Sequence, residues 1–199
     1  MRAYLTTLRG FLAGASVTYR GSGIEYDDAR LPVEPTRVPL YLGALGSEMV
    51  RLGGELADGI YLSWCTADNV SSTRDRIAEG AARARRDPAE VKLAASVRVC
   101  IDADERITRE ALRARLGRQA AAPVPQQFRT DGVWAGDRRD RTDEYARRRV
   151  SANHRGVPRT ERMLRGLGYF GPAAGAAEAL QRFAGAADIT VVRLVPATR

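Results

Sequence analysis

Apolar residues along the chain switch repeatedly between helical and strand spacing. Tyr4, Leu5, Leu8, Phe11 and Leu12 recur at intervals of three and four, which marks one face of an amphipathic helix ending near Gly14. Val17-Thr18-Tyr19 and Ile24-Glu25-Tyr26 flank Arg20-Gly21-Ser22-Gly23 and predict a short hairpin. After a proline-bearing loop, Val38-Pro39-Leu40-Tyr41-Leu42 forms a compact apolar run that reads as a buried strand. Gly43-Ala44-Leu45-Gly46-Ser47 interrupts it, with Ser47 as the expected N-cap of a helix carrying Met49, Leu52, Gly53 and Leu56. Asp58-Gly59 stops that helix, and Ile60-Tyr61-Leu62-Ser63-Trp64 is a second strand. Strand, tight loop, helix, turn and strand in so few residues predict a βαβ unit with a parallel sheet.

The alternation continues toward the carboxyl terminus. Ser71 or Ser72 is the expected cap of a helix reaching about Arg86, which Asp87-Pro88 closes. Val91 to Ile101 is β-rich, Thr108 opens a helix through Leu116, and Gly171-Pro172 precedes an alanine-rich helix. Ile189 to Val195 is a terminal strand. Residues 119–160, rich in Arg, Asp, Gln and Pro, show no sustained period and form an irregular insertion.

Composition narrows the function. With 199 residues and 44% hydrophobic content the chain can bury a substantial core. No run of about 18 apolar residues is present, so no membrane span is expected, and the amino terminus lacks a secretory pattern. The net charge is +8, yet Lys92 is the only lysine among 32 basic residues and the arginines are scattered. That pattern suits a solvated surface better than a nucleic-acid interface. Cys65 and Cys100 lie in apolar sequence and read as buried thiols in a reducing cytoplasm. His154 is the only histidine, lies in the irregular segment, and reads as a surface residue. Asp58 reads as a helix-end turn residue, Glu55 as a structural partner for an arginine, and Asp27-Asp28 as loop. No metal-ligand constellation, nucleophile elbow or Walker loop is apparent.

The corner Gly43, Ala44, Leu45, Gly46, Ser47 is the main chemical candidate. A helix begins there with unpaired N–H groups and the positive end of its dipole, and small residues let an anion approach. On spacing alone the corner reads first as a glycine-softened βα turn with Ser47 as N-cap, because it matches no specific phosphate fingerprint.

The string from Val38 to Leu62, with Ala44-Leu45-Gly46, Gly54-Glu55 and Ala57-Asp58-Gly59, closely resembles the luciferase-like monooxygenase superfamily. It is most similar to the branch using the deazaflavin coenzyme F-420, the methylenetetrahydromethanopterin reductase type. Leu8-Arg9-Gly10, Val17 to Gly21, and the ending from Phe170-Gly171-Pro172 to Pro196 fit the same family. The resemblance implies an α/β fold: the C-terminal half of a (β/α)₈ TIM barrel, one domain over residues 1–199, with parallel strands alternating with helices. It implies an oxidoreductase or monooxygenase acting on a small-molecule substrate with coenzyme F-420 or, alternatively, FMN. The cofactor phosphate would lie on Gly43, Ala44, Leu45, Gly46 and Ser47, and Trp64 would border the substrate pocket. Ser47 replaces a frequent proline and Gly53 a frequent alanine, and residues 119–160 fit poorly. Because the catalytic first half has no counterpart, these residues alone are expected to be inactive. A homodimer or a separately encoded N-terminal half is then an expected partner. The rival readings are a non-enzymatic interaction module and an arginine-rich nucleic-acid binder.

Overall fold

The computed structural model describes residues 1–199 except 22, 33, 45, 64, 121–160 and 198–199. Helix α1 (Arg2–Leu12) leads into an antiparallel hairpin of β1 (Val17–Gly21) and β2 (Ile24–Ala29). Alternating strands and helices follow: β3 (Tyr41–Gly43), α2 (Ser47–Leu56), β4 (Gly59–Leu62), α3 (Ala67–Arg83), β5 (Lys92–Ile101) and α4 (Glu105–Ala120). Past the undescribed segment come α5 (Glu161–Leu167), β6 (Gly168–Gly171), α6 (Ala176–Ala184) and β7 (Ile189–Leu194).

All pairings in the main sheet are parallel, including that of β3 with β4. Strand β5 is its hub. Its first half pairs with β4, and its middle pairs with β7. Arg98 and Val99 have register partners in both β6 and β7, so those two strands flank β5 on opposite sides. Among the described strands of this sheet, β3, β6 and β7 each have a neighbour on one side only.

Side-chain alternation separates two faces of this sheet. Ile60, Leu62, Leu93, Ala95 and Val97 pack beneath Val50 of α2, Val70 and Ile77 of α3, and Phe183 of α6. Ala94, Ser96 and Arg98 therefore belong to the face opposite those helices. A second cluster joins Cys100 and Phe170 to Leu112 of α4 and to Leu164 and Leu167 of α5.

Several boundaries differ from the sequence expectation. Gly46, not Ser47, is the N-cap of α2, and Ser47 is its first helical residue. Helix α3 starts earlier than Ser71 or Ser72. Thr66 caps it, its hydroxyl accepting from the Asn69 N–H at 3.3 Å. Both serines instead bond back to carbonyls within the helix. Helix α4 opens at Glu105 rather than Thr108, and it reaches Ala120, just inside the segment expected to be irregular. The N–H of Arg106 finds the Asp104 carboxylate, which holds the first turn three residues before Thr108. Strand β6 and helix α5 were not anticipated, because seven- and four-residue elements are too short to show a period. His154 and the rest of 121–160 lie outside the described residues.

Asp58 does more than end a helix. Its carboxylate accepts from the Leu40 N–H at 2.8 Å and from Arg9 at 2.9 Å, tying the entry to β3 and helix α1 to the start of β4. Asp188 repeats the device before β7, accepting from the Leu93 N–H at 2.7 Å and pairing with Arg74 at 3.0 Å. Glu55 pairs with Arg2 and with Arg83, as its expected structural role requires.

Candidate functional site

The βα corner at the carboxyl end of β3 is where the sequence places an anion site. Strand β3 ends at Gly43, and the Ala44 N–H donates to the Tyr61 carbonyl at 3.2 Å, fixing the corner to β4. Ala44 is buried, whereas Gly43 is exposed and a Cβ built there would meet nothing within 4 Å. Open space beside the backbone is what a bound group needs. Gly46 supplies no side chain to cap α2, so the first-turn N–H groups keep their capacity for an external acceptor. Ser47 is half-buried at the rim.

A negative charge in the first turn would oppose an anion, and Glu48 sits there. Arg51 draws it away, however, pairing with Glu48 at 2.6 Å and with Glu79 of α3 at 2.5 Å. The corner thus fits a phosphate through backbone N–H groups, with the nearest carboxylate compensated. Leu45 and Trp64, also expected at this end, lie outside the described residues.

The neighbouring βα corner, after β4, contains Cys65. Its buried thiol donates to the Leu62 carbonyl at 3.7 Å, and burial pushes its pKa up to about 12. Burial, followed by the charge of Asp102, raises Cys100 as well. Both side chains are free thiols, and neither is set up as a nucleophile, which requires a stabilised thiolate. Neither thiol is expected to react with iodoacetamide at pH 8 in the native chain, while both should label in urea. Rapid native labelling, read by mass spectrometry, would contradict this placement. Because the folded pKa of Cys65 lies above the ordinary value of 9.0, its burial contributes stability below pH 9 that is lost toward pH 12.

Comparison with known proteins bears on what such a corner serves. The family model described as luciferase-like monooxygenase matches residues 1–188. The chain belongs to that family.

Within the luciferase-like family, a 5,10-methylenetetrahydromethanopterin reductase of Methanolobus tindarius is 38% identical over 100 residues, covering 50% of this chain and 31% of that protein. A coenzyme F-420-dependent tetrahydromethanopterin reductase from Methanopyrus kandleri superposes with a TM-score of 0.72 at 21% identity, covering 97% of this chain and 56% of that one. An F-420-dependent secondary alcohol dehydrogenase, bound to an F-420–acetone adduct, gives 0.69 at 21% identity over 98% and 55% of the two chains. The match therefore spans from about a third to a little over half of the length of these relatives. Its fold is that of part of a luciferase-like (β/α)₈ barrel, and its five-stranded parallel sheet with helices in alternation agrees. Among the described residues no helix is long and apolar enough to cross a membrane.

One group of residues drew no notice in the sequence. Ser96 and Arg98 of β5 and Arg193 of β7 share the sheet face opposite α2, α3 and α6, and the strand readings of Val91–Ile101 and Ile189–Val195 single out none of them. An arginine and a serine inside an otherwise apolar strand were the available signal.

Proposed function

We propose that the corner Gly43–Ser47 anchors the phosphate of a deazaflavin, coenzyme F-420, with FMN as the alternative, in an oxidoreductase acting on a small organic substrate. One observation carries the reading. In a luciferase-like fold, the first parallel βα corner presents an exposed glycine with open space and a helix start without a side-chain cap. The two solved structures reported above are named for F-420, which supports the deazaflavin over FMN. Bound there, the cofactor would supply hydride transfer. The chain's own part is to hold the phosphate on the N–H groups of α2 and to keep Glu48 turned toward Arg51. Trp64, on the expected substrate side of the next corner, belongs to the same proposal.

Residues 1–199 are read as one half-barrel domain. Its five parallel strands leave β3, β6 and β7 each with an edge open to further strands, and bare edges invite aggregation. Turnover is expected to need those strands, whether from the same polypeptide, a separately encoded half or a second copy. A cytoplasmic setting suits the two free thiols.

Gly43→Val tests the anchor. A Cβ at Gly43 meets nothing within 4 Å and valine suits a strand end, so circular dichroism and melting temperature should be unchanged. It occupies the space a phosphate would take, and coenzyme F-420 or FMN binding, followed by fluorescence, should weaken at least about tenfold, the equivalent of one charge-assisted hydrogen bond. Unchanged binding of both cofactors would overturn the reading. Turnover of the purified 199 residues with reduced coenzyme would overturn the requirement for further strands.

A further inference from the structure

Four parallel strands stand side by side in the order β3, β4, β5, β7. Strand β6 takes no place in that row, since it pairs only with Arg98–Ile101, beyond the point where β4 ends. A luciferase-like barrel closes with eight strands, so four neighbours cover half of its circumference. A half circle is completed by a twofold axis along the barrel axis. Both seams then join the same two edges, β7 of one copy to β3 of the other. Every strand keeps its direction under that rotation, so both seams are parallel, like the rest of the sheet.

The open edges carry the backbone groups that such a seam needs. On β3, the Leu40 and Ala44 N–H groups turn toward β4, so by alternation Tyr41 and Gly43 turn theirs outward. On β7, the Val195 N–H reaches the Val99 carbonyl of β5, so Val192 and Leu194 present theirs to the outside. Exposed apolar side chains accompany both edges. Tyr41 and Ile189 lie on the face that becomes the interior of the ring, and Val192 and Leu194 on the face that carries helices. Leu194 is 78% and Val192 44% exposed. Helix α1 runs beside the other edge. Arg2 and Arg9 reach Glu55 and Asp58 from one flank of it, and Tyr4, 56% exposed, lies on the opposite flank, away from α2. These five side chains leave on the order of 500 Å² open in each copy, and closing two seams buries that area twice together with the adjoining backbone, which reaches the roughly 1,200–2,000 Å² of a stable interface.

We propose that two copies of this chain close one eight-stranded barrel about a twofold axis. Strand β7 of each copy lies parallel to β3 of the other, and α1 of each covers Val192 and Leu194 of the other. The ring presupposes the half-barrel reading above and gives two of its open edges one occupant. Both Gly43–Ser47 corners then face the same end.

Size-exclusion chromatography with light scattering, on the purified chain without cofactor, should show twice the chain's mass, falling toward one copy on dilution. Leu194→Lys puts a charge into the seam. Val192→Pro removes an N–H that only the second copy uses, a change that edge strands tolerate. Both variants should keep the circular dichroism spectrum and raise the dimer dissociation constant at least tenfold. If Val192→Pro unfolds, Leu194→Lys decides alone, because its side chain is exposed in the single copy. Hydrogen exchange at Tyr41, Gly43, Val192 and Leu194 separates the remaining outcomes. A monomer whose four amides exchange freely overturns the second copy but keeps the half barrel, leaving its edges to strands of another polypeptide. A monomer with those amides protected overturns the half-barrel reading as well. A dimer indifferent to Leu194→Lys, or an assembly growing past two copies, overturns the twofold ring.

Discussion

Gly80→Ala is expected to lower the melting temperature by about 5 °C, although alanine is the better helix former. Helices α2 and α3 meet through glycines. A Cβ at Gly80 would sit 2.0 Å from the Arg51 carbonyl oxygen and 2.9 Å from its Cα. Those atoms are backbone and cannot rotate away. From the other side, a Cβ at Gly54 would meet the Ile77 carbonyl at 2.4 Å and the Ala81 nitrogen at 3.1 Å. Adding a methyl at either position must push the helices apart and open the cluster built from Val50, Val70 and Ile77. Overpacking of this kind costs about 1–3 kcal/mol, against a propensity gain of about 0.5–1 kcal/mol. A 2.0 Å approach to fixed backbone belongs at the upper end of the first range, so the net loss is about 2 kcal/mol, or roughly 5 °C for a chain of this size. Gly80→Val should be worse, since it adds a β-branch to the same clash. A melting temperature equal to or above that of the parent in Gly80→Ala would show that the two helices do not approach as described.

Asp58→Ala should cost about 2 kcal/mol, read from the shift of the urea midpoint at pH 7, where hydrogen bonds to a charged group are worth about 1.5–3 kcal/mol each. The substitution leaves the Leu40 N–H without its acceptor and Arg9 without its carboxylate. The figure is kept at the lower end because the Asp58 side chain is 24% and that of Arg9 43% exposed. The loss should also depend on pH. Burial pushes the Asp58 carboxyl up, but the Leu40 N–H and the Arg9 guanidinium more than offset it, so its pKa lies below the ordinary 3.8. A depressed carboxylate contributes stability that is present above the unfolded pKa and lost as pH falls through the folded one. The gap between parent and Asp58→Ala should therefore be constant near neutrality and close below about pH 4. Asp188→Ala should behave alike, because burial of Asp188 is outweighed in the same way by the Leu93 N–H and Arg74. Asp58→Asn keeps an acceptor for Leu40 and should recover part of the loss. A pH-independent gap would mean that the carboxylate charge is not what joins α1 to β4.

These two predictions also show where sequence reasoning stops. The helical spacing of Met49, Leu52, Gly53 and Leu56 between two apolar runs was enough to announce a βαβ unit, and β3 and β4 are indeed parallel. The caps were less legible. Thr66, Ser71 and Ser72 all carry hydroxyls able to cap a helix, and choosing among them depends on where the β4 corner releases the chain. Gly80 gave no warning, since a glycine inside a helical pattern looks the same whether it faces solvent or another helix. Strand β6 was hidden because it is completed only by pairing with Arg98 to Ile101 of β5.

The candidate sites divide along the same line. The Gly43–Ser47 corner was visible because its glycines and the following helix are contiguous in sequence. The juxtaposition of Arg98 and Arg193 was not, because the two lie 95 positions apart and only the register of β5 with β7 puts them opposite each other. By itself, the sequence determined the order of helices and strands, the parallel α/β class, the family and one glycine-lined corner, all of which follow from local periodicity and contiguous motifs. The tertiary structure alone decided which faces meet, which aspartates bridge neighbouring strands, and that Arg98 stands beside Arg193. Those depend on register and on close approach between segments far apart in the chain, where packing and Coulomb energies act on distance in space rather than separation in sequence.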